Sequence, residues 1–297
     1  MTETVYLIDA SIYIFRAYYG IPDEWHDSNG NSVNALFGYT QFLLKFLTSS
    51  QPQYLAVAYD ESLGSCFRND IYPAYKKSRN LPDESLSYQL KACKGLTEIL
   101  GISSLASDRY EADDIIATLA GRAQRDGHNI VVVSKDKDLG QLLLKESDYL
   151  WDFAGERKID RHMFHGHFGV WPEQLEDYLA LVGDSVDDIP GVPGIGKKTA
   201  SSLLEKFSSI ERLLHNADGV ADSGVRGAAM IINKLEDYRD QVEMAKQLVR
   251  LDQNVPLAND HSLLWCPPPM GVVRDYLDEF GLGHYFQRQL DKSNWWK

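Results

Sequence analysis

Tyr110-Glu111-Ala112-Asp113-Asp114-Ile115-Ile116-Ala117-Thr118-Leu119-Ala120 is the stretch on which the reading of this chain turns. Ile115, Ile116, Leu119 and Ala120 recur at helical spacing, so the segment predicts a helix whose opening turn carries Glu111, Asp113 and Asp114. Glu111 and Asp114, three residues apart, share one face. Acids in a first turn are ordinarily explained by the positive end of the helix dipole. Three of them beside a run that must be buried repel one another and raise each other's pKa unless a cation holds them. The useful question is whether further carboxylates converge on the same place.

Working outward, they do. Thr4 to Ile8 reads as a short buried strand ending in Asp9, and Tyr54 to Tyr59 as another ending in Asp60. Asn129 to Val133 is a third, ending in Ser134-Lys135-Asp136-Lys137-Asp138, and Ile102 to Leu105 leads as a further strand into the acidic helix. Strands apolar on both faces and alternating with helices imply an α/β fold with a parallel-rich sheet covered on both sides. Ligands of such sheets bind outside the carboxyl ends of the strands, where Asp9, Asp60, Asp136 and Asp138 fall. A fourth acidic group, Gly183-Asp184-Ser185-Val186-Asp187-Asp188, follows a helix expected from Gln174 to Val182. Capping and turn roles would explain any one of these groups, but not the whole pattern.

The 297 residues have room for one large or two modest domains, and 44% hydrophobic content supports a packed core. No apolar run approaches membrane-spanning length, and Met1-Thr2-Glu3-Thr4 does not resemble a signal peptide, so a cytoplasmic location is expected. Cys66, Cys93 and Cys266 are odd in number and widely spaced, which argues for reduced thiols rather than disulfides or a zinc motif. The net charge of −13 would ordinarily argue against nucleic acid. Gathering the carboxylates named above into one metal site removes most of that excess, so local basic patches matter more than the total.

Such patches are present. A short helix from Ser11 to Tyr19 carries Arg16, and a longer one follows from Val33 to Leu47. In Phe67 to Arg79, Arg68, Lys76, Lys77 and Arg79 are interleaved with aromatic residues, an arrangement that suits a strand whose phosphates meet cations and whose bases meet rings. A mobile solvated loop is the competing reading. Asp83 to Leu100 predicts a helix, Leu139 to Leu143 a short one, and Tyr149 to Phe153 with Arg157 to Ile159 a hairpin. His162, His165 and His167 lack an acid or cysteine at zinc-ligand spacing and read as structural or surface residues. In Ile189 to Ala200, the glycines of Gly194-Ile195-Gly196 let backbone amides approach a phosphate at a helix start that Lys197 and Lys198 make more positive. This is not a P-loop, which needs a longer glycine frame after a strand, and a plain turn between helices is the competing reading. From Ala200 onward helical patterns dominate.

Taken together, Leu7-Ile8-Asp9, Phe67-Arg68 through Tyr75-Lys76-Lys77-Ser78-Arg79, Tyr110 to Asp114, Asp136-Lys137-Asp138-Leu139, and Gly183-Asp184 through Gly196-Lys197-Lys198-Thr199-Ala200 resemble the 5′-nuclease or flap endonuclease superfamily, in particular the 5′-nuclease domain of bacterial DNA polymerase I. The resemblance runs from about Val5 to about Leu290. It implies a PIN-like core at 1–180 with a helical arch at about 63–83, and a helical DNA-binding region at 181–297 with a helix-3-turn-helix at about 184–206. It implies two divalent ions, one at Asp9, Asp60, Glu111 and Asp113 and one at Asp136, Asp138, Asp184 and Asp187, with Asp114 between or behind them. Lys76, Arg79, Asp60 and Asp114 would serve catalysis. Arg16, Arg68, Tyr75, Lys76, Arg79, Gly194, Gly196, Lys197 and Lys198 would contact DNA, with Tyr75 stacking on a base and a potassium ion at the helix-3-turn-helix.

The implied activity is 5′-3′ exonuclease or flap endonuclease cleavage in replication or repair, giving 5′-phosphate and 3′-hydroxyl ends. The substrates would be 5′ flaps, overhangs or nicks in DNA, or an RNA–DNA hybrid, acted on by a monomer without a membrane. No polymerase domain follows in these residues, so a stand-alone nuclease is expected. Independently of the family, an all-carboxylate site selects hard Mg²⁺ or Mn²⁺ over zinc. A PIN-type ribonuclease and a non-catalytic structure-specific DNA-binding protein are the alternatives. Two departures stand out: Asp188 where many members have Asn, and Cys66 where a small or hydroxyl residue is usual.

Overall fold

Six strands, β1 (Thr4–Asp9), β2 (Tyr54–Asp60), β3 (Ser103–Ser107), β4 (Asn129–Val133), β5 (Tyr149–Asp152) and β6 (Arg157–Ile159), form one sheet in the order β3-β2-β1-β4-β5-β6. This computed structural model describes residues 2–215, 228–257 and 262–293. Strands β1 to β5 run parallel and only β6 returns antiparallel, as the hairpin reading requires. Among the described residues the α-helices are α1 (Ala10–Gly20), α2 (Asn34–Ser50), α3 (Phe67–Ile71), α4 (Glu84–Ile99), α5 (Ala112–Arg125), α6 (Arg161–Phe168), α7 (Leu175–Val182), α8 (Lys197–Phe207), α9 (Ile210–His215), α10 (Ala228–Asp237), α11 (Arg239–Val249), α12 (Met270–Glu279) and α13 (Gly283–Lys292).

Alternation along the central strands divides the interior into two layers. Val5, Leu7, Ala56, Ala58, Ile130 and Val132 face a core completed by α5, α7, α8 and α11. Ile8, Leu55, Val57, Tyr59, Val131 and Val133 face the other, built from α1, α2, α4 and the last two helices. Each fully buried aliphatic side chain contributes on the order of 1.5–3 kcal/mol. Residues 270–292 thus return to the α2–α4 side of the sheet, through contacts such as Tyr276 Oη donating to the Ala92 carbonyl at 2.7 Å, rather than extending the helical layer around α8.

Strand order reverses on either side of β1: the chain goes to β2 and β3 in one direction and to β4 and β5 in the other. A crevice opens at such a switch point, outside the carboxyl ends of β1 and β4. The segment 63–83, expected as a helical arch, is helical only over Phe67–Ile71 and then continues in turns. Pro73 lacks a backbone donor and disfavours helix at Tyr72, which stops α3 there. The three cysteines are free thiols, Cys66 and Cys93 buried and Cys266 exposed. No helix among the described residues is long and apolar enough to cross a membrane.

Candidate active site

Asp9 is at once the last residue of β1 and the cap of α1, its Oδ1 accepting from the Ser11 amide at 3.1 Å. Its Oδ2 accepts from Ser134 Oγ at 3.2 Å, which ties the end of β1 to the end of β4. Asp60 closes β2, and Glu111 with Asp113 opens α5. These acids, with Asp136 and Asp187, line a cleft of about 420 Å³ that also contains Lys76, Arg79, Lys135 and Lys137. Ile12 and Phe15 of α1 form its apolar wall.

Burial and crowding act together on these carboxyls. Burial and the neighbouring Asp136 raise Asp9 to about 7 and Asp113 well above the usual carboxylate range. Burial and Glu111 raise Asp60, and burial raises Asp187 against the attraction of Lys76 and Arg79. Asp138, outside the cleft lining, is likewise raised to about 7 by burial and Asp136. Glu111 goes the other way: burial works to raise it, but Lys76 and Arg68 outweigh that and hold it low. Asp184 is also lowered, Lys137 overcoming its burial.

Cations of the chain stand among the acids. Lys76 Nζ donates to Glu111 and lies 3.7 Å from Asp187, while Arg79 Nη2 donates to Asp187 at 2.6 Å. Lys137 Nζ donates to Asp184 at 2.6 Å and lies 3.3 Å from Asp138 Oδ1. With the lysines so placed, no three acid, histidine or cysteine side chains among the described residues converge on one point as ligands. The donor set nevertheless fits hard divalent cations. It is all oxygen, most of its carboxyls are held above their ordinary pKa by burial and by one another, and the buried Asp138 Oδ1 accepts no hydrogen bond and meets Lys137 only as an ion pair at 3.3 Å.

Three expectations are corrected by the packing. Asp114 faces away from the cleft and is fully buried, accepting from both terminal nitrogens of Arg68 at 2.6 and 2.7 Å, from the Asp252 amide at 2.8 Å and from the Glu111 amide at 3.1 Å. Its oxygens are saturated, so it is a structural partner rather than a ligand or catalytic group. Arg68 is 1% exposed and cannot reach DNA; its remaining donors go to the Leu248 and Arg250 carbonyls, both at 2.7 Å. Tyr75 is 4% exposed and donates its hydroxyl to Glu111 at 2.8 Å, so its ring is core rather than a stacking platform.

The acidic stretch after α7 makes a tight turn. Asp184 and Ile189 exchange backbone hydrogen bonds at 2.9 and 2.8 Å. At its base two backbones cross so closely that a Cβ on Gly183 would lie 2.5 Å from the Gly191 nitrogen, and one on Gly191 2.3 Å from the Val182 carbonyl carbon. Only glycine fits either position. Farther on, Gly194 adopts φ +82°, and Gly196 caps α8 with Lys197 and Lys198 exposed in its first turn. Lys234 braces this connection by donating to the Pro193 carbonyl at 2.9 Å, and the buried Ile195 anchors it. Arg16 is exposed on α1, one residue beyond Phe15 of the cleft wall. The histidines lie on α6, where His165 stacks on Trp171 and His162 pairs with Glu146.

Sequence reasoning missed Lys135 and Lys137 as cleft residues, although their alternation with Asp136 and Asp138 was a visible signal. It also missed the contact of Asp188 with the 76–79 segment, which has no local signature.

The chain matches the family model described as 5′-3′ exonuclease, N-terminal resolvase-like domain, over residues 4–169, and the 5′-3′ exonuclease, C-terminal SAM fold, over residues 170–269. It is 34% identical to DNA polymerase I of Rhizobium leguminosarum over 276 residues, 91% of this chain and 26% of that protein. It is 36% identical to the 5′-3′ exonuclease of Aquifex aeolicus over 214 residues, 72% of this chain and 73% of that one. The chain therefore spans under a third of the DNA polymerase I relatives it matches. Among solved structures, T5 5′-exonuclease with bound zinc is similar at TM-score 0.67 and 18% identity, covering 98% of this chain and 99% of that one. The catalytic core of Rad2 in complex with DNA substrate is similar at TM-score 0.63 and 14% identity, covering 98% and 92%. With the switch-point cleft and its acids, this places the chain in the 5′-3′ exonuclease family.

Proposed function

We propose that the protein is a divalent-metal-dependent, structure-specific 5′-3′ exonuclease and flap endonuclease acting on DNA. The observation that carries the reading is the cleft itself: six carboxylates from the ends of β1, β2 and β4, the start of α5 and the 184–189 turn, with Lys76 and Arg79 among them. Asp9, Asp60, Glu111, Asp113, Asp136 and Asp187 would hold Mg²⁺ or Mn²⁺, with Asp138 and Asp184 reached through the Lys137 side. Bound ions of this kind activate water and stabilise charge on the oxygens of an in-line displacement at phosphorus. Lys76 and Arg79 now neutralise Glu111 and Asp187 and are placed to face a phosphate entering the cleft, where a fixed cation offsets developing negative charge.

Duplex would be gripped at a distance. The Gly194 and Gly196 amides, Lys197 and Lys198 present an anion-binding helix start, to which a potassium ion would add positive charge. Arg16 would steer the strand beside the Phe15 wall. In this reading residues 1–180 form the nuclease core and 181–297 the DNA-gripping region, with α12 and α13 bracing the core. Residues 216–227, 258–261 and 294–297 of that second region lie outside the described residues. The products would be a 5′-phosphate and a 3′-hydroxyl, the enzyme a cytoplasmic monomer.

The deciding experiment is cleavage of a 5′-labelled DNA flap and of a nicked duplex, with Mg²⁺ and with EDTA, beside an RNA strand of the same sequence. Mg²⁺-dependent release of short 5′ fragments from the DNA substrates supports the proposal. Binding without cleavage, or preference for the single-stranded RNA, removes it.

A further inference from the structure

We infer that Asp188 is a positioning residue that clamps the 76–79 segment, and with it Lys76 and Arg79, to the turn that leads into α8. The inference rests on the nuclease reading of the cleft for its consequence, but not for its geometry. Three successive contacts join two segments far apart in sequence. The Lys76 amide donates to the Asp187 carbonyl at 3.0 Å, the Ser78 amide donates to Asp188 Oδ2 at 2.9 Å, and Arg79 Nη2 donates to Asp187 Oδ1 at 2.6 Å. The first and third engage Asp187, itself a cleft residue; the middle one engages Asp188, which does not line the cleft.

Both ends of the clamp hold unusual backbone. Lys76 sits at φ +51° and Asp188 at φ +57°, in the left-handed region that ordinary side chains avoid. Asp tolerates that region better than most residues, so Asp188 satisfies the turn and supplies an acceptor at once. For Lys76 there is no such excuse: a long side chain in left-handed backbone persists only where its surroundings hold it. The surroundings here include the Asp187 carbonyl before it in the clamp, the Ser78–Asp188 bond after it, the Arg79 amide donating to the Lys76 carbonyl at 3.1 Å and the Glu111 carboxylate at its side-chain end. The consequence is that Lys76 Nζ is aimed inward at Glu111 while its sequence neighbour Lys77 is exposed. Because the 184–189 turn is closed by the Asp184–Ile189 bridge and seated on the Gly183–Gly191 crossing, the clamp is mounted on the base of the α8 connection rather than on a loose loop.

The test compares Asp188→Ala, Asp188→Gly and Asp188→Asn. Glycine relieves the backbone strain but removes the acceptor; asparagine keeps both the acceptor oxygen and tolerance of the left-handed region. The proposal expects single-turnover flap cleavage at saturating enzyme to fall by about tenfold or more in the Ala and Gly variants, in line with the cost of misplacing a reacting group, and to be restored in the Asn variant. Flap affinity measured in Ca²⁺ should hold in all three. Amide exchange at residues 76–79 should quicken in the Ala and Gly variants and not in the Asn variant, with α5 unchanged. If Gly restores the rate, Asp188 serves only the turn and the inference is overturned. It is overturned equally if exchange at 76–79 is the same in all variants, or if affinity falls in step with the rate. The exchange arm needs no cleavage, so it tests the clamp even if the wild-type protein cleaves nothing, an outcome that would sink the nuclease reading alone.

Discussion

Removing one charge from the crowded cleft should make the metal-free protein more stable, and Asp9→Asn is the cleanest way to do so. Asp9 is buried and is raised from 3.8 to about 7 by burial and by Asp136. That rise corresponds to roughly 4 kcal/mol at about 1.4 kcal/mol per pH unit, an upper bound because Asp136 shares the interaction; a net gain of ~2–3 kcal/mol is a sound expectation. Asn keeps the cap on α1 through its amide oxygen, and Ser134 Oγ, now a donor at 3.2 Å, can turn to accept from the new amide. The sign follows from a folded pKa above the unfolded one. The protonated native state is favoured at low pH, and that stability is lost as pH rises from about 4 through about 7.

The variant should therefore match wild type near pH 4 and gain progressively to pH 8. At roughly 2 °C per kcal/mol for a chain of this size, the gain at pH 8 is several degrees in Tm, read by calorimetry or circular dichroism in EDTA. Millimolar Mg²⁺ or Mn²⁺ should then invert the order, since an ion that binds only the native state stabilises the protein with the fuller ligand set more. Wild-type and Asp9→Asn proteins with the same metal-free Tm from pH 5 to 8 would refute the assignment of Asp9 to a carboxylate cluster under charge strain.

Lys76→Ala should lower single-turnover cleavage by ~10²-fold or more, the loss of one electrostatic partner of the transition state, whereas the exposed Lys77→Ala should do far less; equal small effects would remove Lys76 from the site. Replacing Lys197 and Lys198 together should weaken duplex binding in Ca²⁺ at every sequence and flatten the salt dependence by roughly one to two in log–log slope, with single-turnover cleavage much less affected; an unchanged slope would make the α8 connection an ordinary helix junction. Arg68→Ala should destabilise the fold by about 3–5 kcal/mol in urea titrations because Asp114 is left charged and unpaired in the core, and Arg68→Met combined with Asp114→Leu should recover much of that. A surface-like loss below ~1 kcal/mol for Arg68→Ala would contradict its burial.

What the sequence determined by itself is the frame and the acids at its edge. The strands ending in Asp9 and Asp60 and the helix opening at Glu111 were legible because each pairs a run of apolar residues with a polar stop, and parallel topology then delivers strand ends to one side. The family's ordered motifs supplied the chemistry expected there. What only the tertiary structure decided is which charges are used to bind and which to build. Arg68 looks like a DNA-binding residue in a basic-aromatic run, yet it is spent on Asp114, 46 residues away, and on the Leu248 carbonyl, 180 away. Tyr75 and Lys76 are adjacent, but Tyr75 packs into the core while Lys76, turned by left-handed backbone, lines the cleft. Asp188 acquires a role only because a turn closed by its own backbone lies against Ser78, 110 residues earlier. Local patterning reports which residues a segment must bury and where it must end. The choice of partner for a buried charge depends on which distant segment fills the same space, and no periodicity in the chain records that.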